Sequence, residues 1–545
     1  MPRETIHSSK IAGRKRLYLD VLYDPDRAGR FLLWPHPTPE AFAACTRRVL
    51  SQRAVDHQSA ADLLLRQNQA FGAPPAALQA VAELADPQAV VVFTGQQAGL
   101  FGGPLYTVYK SLALIGWAAR LREMLKRPVI PVFWIAADDH DFDEVRWAAF
   151  PDQDNHVRRL ELPGEGIPDR TPVSQIYLDR AVVDVLTAFR EGQIETEFTD
   201  ALYQDLAAAY RPGQTMAQAF GQWMARLLGP FGLVMFDPSD AAAKELCVPL
   251  FAQEIEGAAQ TAAALSDIDC RLDEACYHRQ VVHPEGHSHL FHIRNGRHAL
   301  HTDDGRFWID PEGKASASDA AAWQERLRAN PAEFSAGVLL RPVVQSYLFP
   351  VIAAVCGPSE IAYWAQARAL FDRFRQVMPV VLPRSTATIT ERKIAGAVEA
   401  LGHTVCAFFG DVEALINDHF ERSFPTDLEK RFAAERDGWR AGLDELKARV
   451  VSFEPTLDKT FDVTSGRMFS SLEQLERKVF QAHKRKGDEV RAKFYKLAAH
   501  LNPEGLPQER VFNVTYYLNK YGFDFLERVR QQLRIDTPDH QVIEL

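Results

Sequence analysis

Two short segments hold most of the residues able to do chemistry. Thr94–Lys110 (TGQQAGLFGGPLYTVYK) carries four glycines between Gly95 and Gly103, two adjacent amides, a hydroxyl at Thr107 and a cation at Lys110. A glycine-rich stretch leading into a helix exposes backbone N–H groups and the positive end of the helix dipole, which suits phosphate or carboxylate. Thr94, Gly95, Gln96, Gln97, Gly102, Gly103, Thr107 and Lys110 are therefore candidate binding residues. The segment is neither a Walker A loop nor GxGxxG, so neither of those mechanisms carries over. The plain alternative is a tight turn whose glycines only allow close packing. The second segment, Asp138–Glu144 (DDHDFDE), puts five carboxylates and one imidazole in seven residues. Such a cluster can bind a divalent cation, hold a substrate ammonium, or do acid–base work, because close carboxylates push their pKa values apart. His140, between Asp139 and Asp141, suits a general base or a metal ligand. The alternative is a solvated acidic loop that caps the next helix through Asp141 or Asp143.

Two further segments add charge. In VLLRPVVQSYLFPVIAAVCGPSEIAYWAQ (338–366), Arg341 and Gln345 lie one helical turn apart, and Gly357–Glu360 forms a loop leading to Tyr363. Arg341 suits a bidentate contact to carboxylate or phosphate, with a structural ion pair as the equal alternative. Glu360 suits an amine. Cys356, at a strand end, reads as a packed thiol rather than a nucleophile. In PRSTATITERK (383–393), Arg384, Ser385 and Lys393 suit an anion site, with ordinary helix-start chemistry as the alternative. Seven of the 17 histidines fall between His278 and His301. A zinc site needs three or four converging ligands. Hairpin alternation spreads these side chains over two faces, so they read as partly exposed strand residues and no metal is assigned.

The elements that must position these groups follow from periodicity. Val90–Phe93 and Val129–Ala136 are apolar runs that read as buried strands on either side of the glycine loop and a helix over Leu105–Leu125. Strand, loop, helix, strand is a βαβ unit, and apolar strands of this kind argue for a parallel sheet covered on both faces. Gly232–Phe236, Val351–Val355 and Val377–Leu382 are the further strand candidates. The turn signals at Pro-Glu-Gly, Arg-Asn-Gly and Asp-Asp-Gly in 276–312 predict hairpins. The fold class is α/β, with a doubly wound core at 1–415 interrupted at about 150–210 and 265–330. Residues 416–505 read as an antiparallel helical coiled-coil hairpin, broken at Glu454-Pro455. There the eleven-residue step from Val479 to Val490 reads as a stutter. Residues 506–545 read as a tail returning to the core.

Composition bounds the classes. The chain has 545 residues, is 46% hydrophobic and 25% charged, and carries a net charge of −10. That is an ordinary globular balance without a basic footprint, so no nucleic-acid partner is expected. No apolar run reaches the length of a membrane span, six scattered cysteines show no CxxC, and the N-terminus lacks a signal-peptide core. The expectation is a cytoplasmic protein with no membrane partner. Charge is dense between Glu421 and His500, where 31 of 80 residues are charged, as on the outer faces of a coiled coil.

The segments TGQQAGLFGGPLYTVYK, PVFWIAADDHDFDEV, FSAGVLLRPVVQSYLFPVIAAVCGPSEIAYWAQ, PVVLPRST and YYLNKYG, in this order, resemble the bacillithiol-biosynthesis cysteine-adding enzyme family, BshC. The resemblance covers essentially the whole chain. It implies a Rossmann-like core related to nucleotidyltransferases, with connecting-peptide insertions and a coiled coil that forms a homodimer. It implies a ligase that adds cysteine to the amino group of glucosaminyl-malate, the last step of bacillithiol biosynthesis. Activation of the cysteine carboxylate is expected to use ATP, with Mg²⁺ as a possible companion, most simply through an adenylate. In that scheme the Thr94–Lys110 loop cradles phosphates or the malyl carboxylate. His140, flanked by Asp139 and Asp141, deprotonates the amine, and Asp138, Asp143 or Glu360 holds the cysteine ammonium. The competing readings are an adenylating enzyme acting on another small acid, or a coiled-coil scaffold with a vestigial pocket.

Overall fold

The computed structural model describes residues 4–310, 313–485 and 487–545. Its centre is a five-stranded sheet of β1 (Val90–Gln96), β2 (Val129–Ile135), β3 (Val234–Phe236), β4 (Val351–Cys356) and β5 (Val380–Pro383). The order is β5-β4-β1-β2-β3 and every pairing is parallel. β1 and β2 are β-branched or aromatic along most of their length, β4 is apolar throughout, and all three are buried on both faces. Parallel strands sandwiched between helix layers require that composition. The β3 strand starts later than its apolar run, because Gly232 has φ +87° and closes the preceding turn in the left-handed region. Between β1 and β2 lies α1 (Leu105–Leu125), and α2 (Pro358–Arg373) follows β4.

From β1 the chain winds outward through β2 and β3, then returns to place β4 on the other side of β1. The β1/β4 boundary is thus where the strand order reverses, and open α/β sheets bind ligands outside the carboxyl ends of strands at that point. One inserted piece holds the hairpin Trp147–Pro151/Val157–Glu161 and the helices Ala181–Glu191 and Thr199–Ala209. A second holds a five-stranded antiparallel sheet in which His287–Ile293 lies between Arg297–Asp303 and Phe334–Ala336.

The chain divides into two compact units, residues 1–391 with 506–545, and residues 392–505. In the first, Phe512, Val514, Tyr517 and Phe525 of the tail are buried, and His540–Glu544 pairs with both Glu4–Ile6 and Ala387–Thr390. The second contains α3 (Thr426–Phe453) and α4 (Asp458–Arg485), joined by a short turn at Pro455–Leu457. Arg436 pairs with Glu476, and Lys447 with Asp462 at 2.6 Å, so the two helices run antiparallel. Two expectations need correction here. The helical unit begins at Arg392 rather than 416, because helices Arg392–Ala400 and Val412–Arg422 pack on Asp488–Leu501. The step from Val479 to Val490 is not a coiled-coil stutter. Helix α4 ends at Arg485, Gly487 caps a new helix, and Phe494, Leu497 and Leu501 bury their side chains away from the hairpin. Among the described residues, no helix is long and apolar enough to cross a membrane.

Candidate active site

A cavity of about 380 Å³ opens at the carboxyl ends of β1, β2 and β4, at the reversal point of the sheet. Its size and position are those of a small-ligand site. Gly95, Gln96 and Gln97 reach it from the end of β1, Asp138 and Asp139 from the turn after β2, and Gly357–Glu360 from the start of α2. Gly95 has a clear steric reason to be glycine. A Cβ there would lie 2.9 Å from the Trp134 Cβ and 3.1 Å from Arg341 Nη1.

Arg341 is the guanidinium nearest that strand end. Its Nη2 donates to the Tyr363 hydroxyl, and its planar head lies 6.0 Å from the Trp134 ring and 5.7 Å from the Tyr363 ring. Among the described residues it has no carboxylate partner, so its charge is available to a ligand. Lys110 is not available in that way. It is 1% exposed, forms an ion pair with Glu360 and donates to the Gly95 carbonyl at 2.5 Å. Burial pulls its pKa down and Glu360 pulls it up. Glu360 also accepts from the Gly357 N–H at 2.7 Å. The pair is a strut between the end of β1 and the start of α2, which corrects the reading of Lys110 as a phosphate cation and of Glu360 as a free ammonium site. Arg384 lines the cavity, but its Nη2 donates to Glu509 at 2.6 Å, and that pairing holds the buried Glu509 carboxyl at about 2.

The acidic turn divides by role. Asp138 Oδ2 accepts from Lys244 at 2.6 Å, while Asp138 Oδ1 is buried with no hydrogen-bond partner among the described residues. Asp139 Oδ2 accepts from Gln97 Nε2 at 2.9 Å, and the same amide donates to Glu144 at 2.7 Å. Asp139 Oδ1 accepts from the His140 N–H at 2.8 Å. Asp141 caps the short helix Phe142–Val145 by accepting from the Glu144 N–H at 3.2 Å. Asp143 is 86% exposed and pairs with Arg146 at 2.7 Å. Asp141 and Asp143 are therefore capping and surface residues, and neither reaches the cavity.

His140 stands beside the cavity rather than in its wall, with Nδ1 3.4 Å from Arg297 Nη1. A guanidinium can only donate, so Nδ1 accepts and the ring proton sits on Nε2. Burial, and then the Arg297 charge, lower the His140 pKa, leaving the ring neutral at pH 7. In this tautomer Nε2 cannot take a proton from an amine, which weighs against His140 as the general base.

The glycine loop does not form the expected helix-start cradle. Leu105 N–H donates to the Phe512 carbonyl at 2.8 Å, and Asn513 Nδ2 donates to the carbonyls of Leu100 at 3.1 Å and Gly103 at 2.9 Å. Gly102 and Gly103 have positive φ and pack against Trp223 and Thr107. The start of α1 is thus closed by the tail, and Gly102, Gly103 and Thr107 lie outside the cavity wall. Thr94 donates to Val355 O at 2.7 Å and Ser385 to Arg534 O at 2.9 Å. Gln345 is buried away from the cavity.

Three residues not predicted from sequence contribute to the site. Arg297 lines the cavity from the inserted antiparallel sheet, Arg510 lines it from the tail, and Lys244 positions Asp138 from the first turn of the helix Ala241–Glu256. Nothing local in the sequence marks them. The histidines around Arg297 have separate partners: His283 with Asp269 at 2.9 Å, His292 with Glu333 at 3.1 Å, and His301 with Asp310 at 2.9 Å. Cys356 is buried, which pushes its thiol pKa well up and makes it unreactive.

The model of the N-terminal Rossmann-like domain of bacillithiol biosynthesis BshC matches residues 1–385, and that of its C-terminal coiled-coil domain matches residues 387–545. The chain is 34% identical over 539 residues to a protein of Salinibacter ruber, covering 97% of this chain and 96% of that one. It is 32% identical over 498 residues to a protein of Symbiobacterium thermophilum, covering 89% of each. It is 30% identical over 539 residues to a protein of Solibacter usitatus, covering 99% of each. All three relatives bear the name "Putative cysteine ligase BshC".

Proposed function

The chain belongs to the bacillithiol-biosynthesis BshC family, and we propose that it is a ligase joining the carboxylate of cysteine to the amino group of glucosaminyl-malate, the last step of bacillithiol assembly. One observation carries this beyond family membership. A single cavity is lined by Arg341, a guanidinium without a carboxylate partner among the described residues, and by the Asp138 carboxylate. An amide-forming enzyme must bring a carboxylate and an amine together, and those two groups complement them.

Arg341 orients the cysteine carboxylate, its fork fixed by Tyr363 and the Trp134 ring. The Asp138 carboxylate accepts a hydrogen bond from the attacking amine and then its proton. Lys244 holds Asp138 in place. Asp139 and Glu144, bridged by Gln97, bind an ammonium. His140, with its proton on Nε2, serves as a donor. Orientation of this kind converts a bimolecular encounter into a unimolecular one.

The residues fit an anionic co-substrate. Arg510 is exposed at the cavity without a carboxylate partner among the described residues, and Ser359 lies in the first turn of α2. In this reading ATP is the co-substrate, Arg510 and Ser359 hold its phosphates, and it supplies the activation of the cysteine carboxylate. Mg²⁺ would ride on the phosphates. No three His, Cys, Asp or Glu side chains come together to hold a metal among the described residues. The helical hairpin is read as the contact between two copies of the chain. The test incubates the protein with cysteine and glucosaminyl-malate, with and without ATP and Mg²⁺, and weighs the products. A cysteinyl adduct is expected, and no thiol adduct under any condition overturns the proposal.

A further inference from the structure

Arg297 is 8% exposed and lines the cavity. It is carried at the start of Arg297–Asp303, a strand of the inserted sheet. Its head is held firmly: Nε donates to Ser335 Oγ at 3.0 Å, Nη2 to the Ala336 carbonyl at 3.0 Å, and Nη1 to His140 Nδ1 at 3.4 Å. The Phe291 ring lies 3.7 Å from its central carbon. A guanidinium has five N–H groups, so two remain after these three bonds. Among the described residues no carboxylate lies within 4 Å of it. Asp138 and Asp139 act on its charge only from farther away. A buried cation lacking an ion-pair partner is costly unless an anion completes it. All three neighbours that fix the head are neutral, which leaves its two remaining N–H groups for an anionic ligand.

Within the ligase reading given above, we propose that Arg297 binds a carboxylate of the amine substrate, so that the inserted sheet selects an acceptor bearing a malate-like group. The assignment to the acceptor follows from placement. Arg297 touches His140 and neighbours Asp138, where the amine is held, whereas Arg341 begins the helix Arg341–Leu348 and rests against Tyr363 of α2 and the Trp134 ring. An acceptor that carries amine and carboxylate on one molecule spans the acidic turn and Arg297 together. A lysine would supply the charge but not the planar fork.

The test titrates L-malate, glucosaminyl-malate and glucosamine into the full-length protein by calorimetry, without cysteine or ATP. The wild type is expected to bind both carboxylates more tightly than glucosamine. Arg297→Gln is expected to lose at least about tenfold in affinity for both, about 1.4 kcal/mol, with glucosamine binding unchanged. Arg297→Lys should fall between, and circular dichroism verifies that each variant is folded. If Arg297→Gln does not fold, Arg297→Lys and the wild-type preference decide the matter. Wild-type-like affinity of the folded variants for both carboxylates overturns the inference, as does a wild type that prefers neither carboxylate to glucosamine. A thiol product alongside either result leaves the ligase reading standing and this inference refuted. A tenfold loss in Arg297→Gln with no thiol product from the wild type does the reverse.

Discussion

At the scale of single residues, the site separates groups that hold the protein together from groups that face a ligand. Lys110 and Glu360 belong to the first kind. Removing one partner of a buried pair leaves an uncompensated charge, at a cost of about 3–5 kcal/mol, though Glu360 is partly exposed and the lower end applies. Lys110→Met should therefore lower the urea midpoint clearly, and the double variant Lys110→Met/Glu360→Gln should recover part of the loss. Asp138 belongs to the second kind. Asp138→Asn keeps its shape but removes the proton acceptor, and kcat should fall by about 10²–10⁴; it also unpairs the buried Lys244, so circular dichroism is read beside the kinetics. His140→Ala should cost less than about tenfold, because its Nδ1 is already bonded to Arg297. Steady-state kinetics of the two variants, read side by side, check that ranking. An equal loss in both would restore His140 as the base. Gly95–Gln97, Asp138 and Asp139, which line the cavity, were legible as candidates from residue types alone. Arg297 was not, because nothing in a hairpin's own sequence says which cavity it will reach.

At the scale of elements, the parallel strands could be read directly, since a strand buried on both faces needs an apolar, β-branched run and little else satisfies one. The glycine loop was found, but its function was not. Whether a helix start faces ligand or protein depends on what covers it, and here that is Phe512 and Asn513, some four hundred positions away in the chain. The same tail supplies a buried charged network with a defined pH response. Glu509 is held at about 2 by Arg384 against 4.5 when free, so its contribution is complete above about pH 4.5 and fades as pH falls toward 2. Burial depresses the neutral His540, between Thr386 and Thr388, to about 4 against 6.5. The unfolded chain takes up that proton first, so stability declines as pH drops from about 6.5 toward 4. Urea unfolding at pH 7.5 and 5.0 should show that His540→Gln loses less stability, or gains more, than the wild type between the two. An identical slope in both proteins would place the proton uptake elsewhere.

At the scale of the whole molecule, the helical hairpin leaves Trp439, Leu446, Phe453, Val463 and Leu475 substantially exposed, with Phe453 at 89%. The homodimer proposed above predicts that a second copy covers this stripe. Sedimentation should give the mass of a dimer for the wild type, and Leu446→Glu/Leu475→Glu should shift it to a monomer with helicity retained. A monomeric wild type would refute the assignment. The charge density of the hairpin was legible in the sequence, whereas the end of α4 at Arg485 was not, because apolar residues recur at helical spacing on both sides of Gly487. The interleaving of the two units also sets an order of events during synthesis. The strand at His540–Glu544 joins Glu4–Ile6 to Ala387–Thr390, so neither can complete its pairing until the last of the three has been made. At about 5–20 residues per second, the Ala387–Thr390 edge stays open for roughly 8–30 s, and the Glu4–Ile6 edge longer, while residues 392–505 emerge and fold. A nascent chain in that interval carries two unpaired strand edges, the kind of surface that chaperones hold and that neighbouring chains can capture.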